Sequence, residues 1–370
     1  MIFLIISQIG SVAGNFCSGS SSHNKTLYTP FTQFYRVALR GNFVHGSVSL
    51  SSNSGNGNIT ISGIPNGANI VKAFLFWVDE DNDNVSGGNF NGNPISGIKI
   101  AEDCTSCWGT SRNALFYRDV TAFVTGNGTY SLSGFPHLTC ASGDDGSEGA
   151  TLVVIWCHNS EPVRTITIYT GDVETPAIIC TYSSYSWTHT GFTASNPVLD
   201  AKYLVLVGNG QNFGEPPNEY IYLNGNMITS VINGTTVPGS GPCGNGSLWD
   251  AFSGSATAWI AGNSTSATFS VNNVSAMDCW HPVVSVLSVT SSDPISYVCT
   301  TPVGVNESEN VIMIKEFDKY LYINSKVPFK IFDVNGQLVK RFKEGEYKLL
   351  LRRGVYFIKY EGNVEKIVVK

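Results

Sequence analysis

Charge is scarce in this chain. Only 14 % of its 370 residues are Asp, Glu, Lys or Arg, low for a cytosolic enzyme and ordinary for an extracellular β protein. Basic residues are the scarcer kind, 22 against 28 acidic. That balance argues against nucleic acid as a partner, because phosphate binding needs a basic patch. No stretch reaches the ~18 consecutive apolar residues of a transmembrane segment, and no long stretch carries a helical apolar period. H-E-x-x-H, G-x-S-x-G and the P-loop are all missing. The six histidines, His23, His45, His137, His158, His189 and His281, are scattered and never stand at i, i+4. No catalytic residue is assigned. Paired carboxylates contributed by distant loops are an arrangement that sequence does not display.

What the chain does have is short apolar runs between Gly, Asn, Ser and Thr. Val71–Trp77, Gly149–Trp156 and Ala201–Val207 are nearly continuous in apolar character, so they read as central strands, and Val283–Val289 closes the series. Asn58–Ser62 and Arg164–Tyr169 alternate polar and apolar residues, as half-buried strands do. Arg164–Tyr169 is expected to pair beside Gly149–Trp156. The spacing of the runs, with turns and no helices between them, predicts an all-β chain built as an antiparallel sandwich.

The composition changes near residue 300. The last 68 residues hold 13 basic and 9 acidic side chains, a net +4, so the first 302 carry −10 of the chain's −6. All nine cysteines lie at or before Cys299. The expected organisation is a large β-sandwich domain over 27–299, or two packed sub-sandwiches, then a linker at 300–308 and a small Ig-like β-sandwich over 309–370. Residues 1–20 read as a signal peptide or its remnant, with the apolar Met1–Ile6 and a small-residue cleavage pattern at Ser11-Val-Ala13.

The tail has three ordered motifs: Ile331-Phe-Asp-Val-Asn-Gly-Gln-Leu-Val339, Gly354-Val-Tyr-Phe-Ile-Lys359 and Lys366-Ile-Val-Val-Lys370. Asn335-Gly336 predicts a two-residue type I′ hairpin turn. Ile331, Val334, Leu338, Val355, Phe357, Ile367 and Val368 are the expected core. These motifs resemble the C-terminal sorting domain of proteins exported by the type IX secretion system. The resemblance implies roles in sorting for Asp333, Asn335, Gly336, Gly354, Tyr356, Lys366 and Lys370, the type IX machinery as a partner, and a place outside or on the surface of a Gram-negative-type bacterium. Upstream, Ala73-Phe-Leu-Phe-Trp77, Arg118-Asp-Val-Thr121, Gly149-Ala-Thr-Leu-Val-Val154, Gly208-Asn-Gly-Gln211 and Leu248-Trp-Asp250 resemble an uncharacterised family of bacterial and archaeal surface β-sandwiches, which implies a fold and no activity.

In an exported chain, Cys104, Cys107, Cys140, Cys157, Cys180, Cys243, Cys279 and Cys299 are expected to form structural disulfides of unreadable connectivity, with Cys17 left over. Asp79, Asp81 and Asp83 alternate in a Gly- and Asn-rich stretch read as a loop from Asp79 to Gly92, where their oxygens would suit Ca²⁺. Asp144–Glu148 is a second, weaker acidic turn. Trp108 and Trp187 stand in polar stretches read as loops and are the candidates for stacking on a sugar or a partner. Together these readings describe a secreted surface protein serving adhesion or envelope assembly, with self-assembly, a surface protein or a glycan as the partner. A lectin-like module is the second reading and an extracellular hydrolase the third.

Overall fold

In a computed structural model the described residues are 28–80, 86–103, 112–138, 146–176, 184–211, 218–239, 246–274, 279–299, 312–317, 320–325, 327–334, 336–350, 353–360 and 363–369. The fold is all-β and antiparallel, as expected. The chain divides into two compact units, Met1–Thr301 and Pro302–Lys370. The expected linker lies outside the described residues.

In the large unit the strands are β1 (Thr29–Ser49), β2 (Gly57–Ile61), β3 (Asn69–Glu80), β4 (Gly87–Phe90), β5 (Asn93–Ser96), β6 (Ile98–Asp103), β7 (Asn113–Asp119), β8 (Gly128–Ser133) and β9 (Gly146–Cys157). They continue with β10 (Val163–Asp172), β11 (Thr175–Pro176), β12 (Ser184–Thr190), β13 (Ala201–Gly210), β14 (Glu219–Leu223), β15 (Asn226–Thr229), β16 (Leu248–Ser255), β17 (Ser266–Asn273) and β18 (Cys279–Thr290). One long sheet runs β16-β13-β18-β10-β1-β9-β3-β7-β6, and two small sheets run β2-β8-β4-β5 and β12-β17-β14-β15.

That order describes the same path twice. Strands β1-β9-β3-β7 face β2-β8-β4-β5, and β10-β18-β13-β16 face β12-β17-β14-β15. Each set is the eight-stranded, two-sheet arrangement of a jelly roll. The second copy follows the first strand for strand, with β6 added to one and β11 to the other. The copies share local devices. Phe90-Asn-Gly-Asn93 and Leu223-Asn-Gly-Asn226 both make a hairpin turn with positive φ at Asn and Gly, 48° and 73° in the first and 48° and 76° in the second. The type I′ turn demands this pair of conformations. Asn91 and Asn224 each donate through the backbone N–H to the neighbouring strand, to Ser131 O and Thr268 O. Through the side-chain oxygen they accept from Ser131 N and Thr268 N, every one of the four bonds being 2.8 Å. Thr121 and Thr257 open single 3-10 turns and accept through Oγ1 from Ala73 N and Ala201 N.

β1 joins the copies. Its first half pairs with β10, from Thr29 opposite Asp172 to Arg40 opposite Val163, and its second half with β9, from Gly41 opposite Cys157 to Ser49 opposite Gly149. The expected pairing of Arg164–Tyr169 with Gly149–Trp156 is therefore corrected: β1 lies between them. The long sheet folds its two halves around a shared apolar layer that includes Phe43, Phe74, Phe76 and Ile155 from the first copy and Ile168, Leu204, Leu206 and Val286 from the second. Each half covers a further core beneath its small sheet. Strands in the long sheet thus bury both faces, which is why all twelve residues of β9 are buried and why its sequence barely alternates. Each Phe or Leu so buried contributes about 1.5–3 kcal/mol.

Among the described residues the small unit has seven strands, β19 (Ile312–Phe317), β20 (Tyr320–Ser325), β21 (Phe329–Asp333), β22 (Leu338–Phe342), β23 (Gly345–Leu350), β24 (Gly354–Tyr360) and β25 (Asn363–Val369). They form sheets β19-β20-β23 and β22-β21-β24-β25. Leu321, Ile323, Phe329, Ile331, Phe342, Ile358 and Ile367 make the core. Ile331 and Ile367 were expected there. Val334 and Leu338 are 65 % and 42 % exposed, and Val355 and Phe357 are half-buried. The register explains the difference: Ile331 pairs with Ile358, and Tyr356 with Ile367, so the even-numbered face of β24 turns inward. The β21–β22 turn also differs from expectation. Asp333 N donates to Gln337 O, and Gly336 N to Asp333 O, with Gly336 at φ 76°. Three residues therefore lie between the closing pair, and the left-handed glycine ends a bulged turn.

Candidate functional site

One end of the large unit gathers the carboxylates. Asp79 and Glu80 end β3, Glu102 and Asp103 end β6, Glu148 is near the start of β9, Asp172 ends β10, Glu174 follows it, Glu219 opens β14 and Asp250 lies near the start of β16; all nine are buried. Burying a carboxylate is unfavourable unless donors meet it, and here the donors are largely loop and strand backbones. Asp250 accepts from Asn233 N, Gly234 N and Thr236 N at 2.7–3.1 Å and from Thr236 Oγ1 at 2.5 Å. Glu219 accepts from Ile232 N (3.0 Å), Asp103 from Glu174 N (2.8 Å) and Glu148 from Asn209 N (2.8 Å). Glu102 is met instead by Lys99 at 2.5 Å and Arg112 at 3.3 Å. Burial raises the Asp250 carboxyl above the usual carboxylate range, against the pull of its four donors.

At the junction of the two copies His281, which opens the apolar part of β18, lies between Asp172 and Glu148. Its Nδ1 is 2.7 Å from Asp172 Oδ1 and its Nε2 3.4 Å from Glu148 Oε1, and all three side chains are fully buried. Burial alone would lower the imidazole; the two carboxylates outweigh it and hold the ring protonated. Burial pushes Asp172 up to about 7, with His281 opposing. Space for this group comes from Gly208, where a Cβ would stand 2.4 Å from His281 Nε2 and 2.5 Å from Glu148 Oε2. Asp172 Oδ2 is buried without a partner. Chemically the arrangement is a charge-coupled strut between β9, β10 and β18.

The residues singled out from sequence are dispersed. Asp79 is in β3, not in a loop, and its Oδ1 accepts from Ser147 Oγ at 2.5 Å. Asp81 and Asp83 lie outside the described residues. Trp187, read as lying in a loop, stands in β12 at 4 % exposure, stacked on Phe31 and Phe269 at 4.1 and 5.6 Å, its Nε1 donating to Ser285 Oγ. It is core packing and not a stacking surface. Trp108 lies outside the described residues. Cys157 and Cys299 form a disulfide with Cα atoms 5.7 Å apart. Cys104, Cys107, Cys140, Cys180 and Cys243 lie outside the described residues, and Cys279 begins β18. In the tail, Asp333, Gly336, Gly354 and Tyr356 lie at or beside the β21–β22 turn and on β24, Lys366 lies on β25, and Asn335 and Lys370 fall outside the description. Sequence reading missed the Glu148–Asp172–His281 group. Its one signal was an acid or histidine at the margin of an apolar strand.

No helix among the described residues is long and apolar enough to cross a membrane. No family model and no curated protein matches the chain. Among solved structures it is similar to wild-type BuGH86 in complex with neoagarooctaose, at TM-score 0.25 and 11 % identity over 71 % of this chain and 34 % of that one. It is also similar to PNGase F, titled a glycosylasparaginase from Flavobacterium meningosepticum, at TM-score 0.24 and 11 % identity over 72 % of this chain and 97 % of that one. The chain thus spans about a third of the length of BuGH86. Likenesses this faint carry no argument about activity.

Proposed function

We propose that the chain is an exported surface-recognition protein, its double jelly roll the binding domain and its last unit, Pro302–Lys370, the export address. The observation that carries the recognition reading is the braced end. Buried carboxylates of Asp103, Glu148, Glu219 and Asp250 clamp backbone N–H groups there, the kind of rigid support on which binding loops are displayed. The address reading is supported by the tail's separate compactness, its own core and a charge opposite to that of the rest. Capture of one specific partner by the purified chain from intact cells, or on a glycan array, is the expected result. Deleting 302–370 is expected to leave the large unit folded but inside the cell envelope, and export of the truncated protein to the surface would end the address reading. A hydrolase is the second reading, favoured by Asp172 held near 7 beside His281. It requires product release from a polysaccharide or glycoprotein that Asp172→Asn abolishes without unfolding the protein.

A further inference from the structure

The apolar layer between the two jelly rolls runs out into a polar mouth. On β13 and β16, Leu204 is paired with Ser253 and Lys202 with Ser255. Paired residues share a face, as do residues two apart along a strand. Leu204 belongs to the shared layer, so Lys202, Ser253 and Ser255 project from that same face, one step nearer solvent. Opposite them on β1 stand Phe43, also in that layer, and His45 two residues on. These groups, with Val44, Ser62, Tyr203 and Gly254, enclose a cleft of about 410 Å³, within the range of small-molecule sites.

The lining is under-used. His45 Nδ1 is buried without a hydrogen-bond partner, and burial holds the ring neutral, its pKa lowered to about 4. It therefore offers one donor and one acceptor at neutral pH. Ser62, Ser253 and the Lys202 ammonium have no partner among the described residues. Lys202 is the informative group. The large unit is acid-rich, and its other described cations are engaged: Arg36, Lys72, Lys99, Arg112 and Arg164 with carboxylates, Arg40 and Arg118 with carbonyl oxygens. Lys202 alone among them stands free, at a cleft that no carboxylate lines.

We propose that this cleft binds a small polyhydroxylated carboxylate, an acidic monosaccharide or the end unit of an acidic glycan. Lys202 pairs with the carboxylate, and Ser253, Ser62 and His45 exchange hydrogen bonds with the hydroxyls. The inference rests on the double jelly roll being a recognition domain, and its test is separate from the test of export.

The full chain is titrated with glucuronate, galacturonate, glucose and acetate by calorimetry and by thermal shift. One or both uronates are expected to bind more tightly than glucose and acetate. Lys202→Ala is expected to weaken uronate binding about fivefold or more, with the Tm of the free protein unchanged because the side chain is exposed, and Ser253→Ala about two- to threefold. Uronate affinity equal to that of glucose, no binding at tens of millimolar, or a Lys202→Ala protein that binds as the parent does would overturn the proposal. If a partner is still captured from intact cells in that case, the cleft assignment is wrong and the recognition reading stands.

Discussion

The two jelly rolls follow one path and are filled differently. Beneath the first small sheet the inward residues of β2 are Ile59 and Ile61, in a core that also holds Leu75, Trp77, Phe90 and Leu152. Beneath the second, the inward residues of β12 are Trp187 and His189, and both bond to Ser285 Oγ at 2.7 Å. His189 Nδ1 lies 2.8 Å from Thr167 Oγ1. What the copies share is at their corners: the Asn-Gly turns and the Thr residues that catch a backbone N–H of β3 and of β13. Path is thus specified by turns and backbone bonds, while the filling is free to change provided that buried polar groups find one another.

Four measurements break or sharpen that comparison. The largest effect belongs to the Cys157–Cys299 bridge, which ties the last strand of the first copy to the chain beyond the second. Replacing both with Ala is expected to destabilise the large unit by about 2–5 kcal/mol in urea titration. Unfolding of the small unit should be unaffected. An unchanged urea midpoint for the large unit would show that the copies hold together without the tie.

Gly208→Ala comes next. The added methyl would collide with His281 and Glu148, so a loss of about 1–3 kcal/mol is expected. Full stability in this variant would mean that the strut at the junction is slack.

The third effect is one of pH and belongs to the polar filling of the second copy. Burial lowers His189 to about 3, from 6.5 for an exposed ring. The unfolded chain therefore binds the extra proton between those values. Stability from this group is complete above pH 6.5 and falls by about 1.4 kcal/mol per unit as pH drops toward 3. His189→Gln should remove that share of the acid-side slope and leave the share of His45, which is lowered to about 4. An identical acid slope in the variant would contradict the buried, neutral state of His189.

The smallest effect is the most direct test of shared corners. Asn91→Ala and Asn224→Ala should each cost about 1 kcal/mol, through a lost side-chain bond and a strained left-handed residue. Equal losses support one architecture built twice; a large loss in one copy and none in the other would limit the turn's importance to that copy.

The sequence made the central strands legible because strands buried on both faces, such as β9 and β13, are continuous in apolar character. A turn at Gly336 was legible because its chemistry is local, though its bulged, three-residue form was not. The duplication was not, because its markers are four residues here and three there. Pairing of β1 between β9 and β10 is a long-range choice that periodicity does not encode. Trp187 was misplaced because the stretch Ser184–Thr190 looks polar when read as a whole; read by twos, Tyr185, Trp187 and His189 fall on one face and Ser184, Ser186 and Thr188 on the other. The strut escaped notice because its three members come from three strands.

The length of β1 also orders events in time. Its first twelve residues find their partner only in β10, with Thr29 opposite Asp172. A chain made from its N-terminus must therefore hold half of a long apolar strand unpaired until more than a hundred further residues have followed. Contacts so distant in sequence close slowly, and an unpaired strand edge invites a wrong partner in the interval. β1 belongs to the first jelly roll, and its first half is also the neighbour of β10, the outer strand of the second. Cutting the chain between Cys157 and Val163 would leave β10 of the second copy without its neighbour β1, so the two copies are expected to form together rather than in turn.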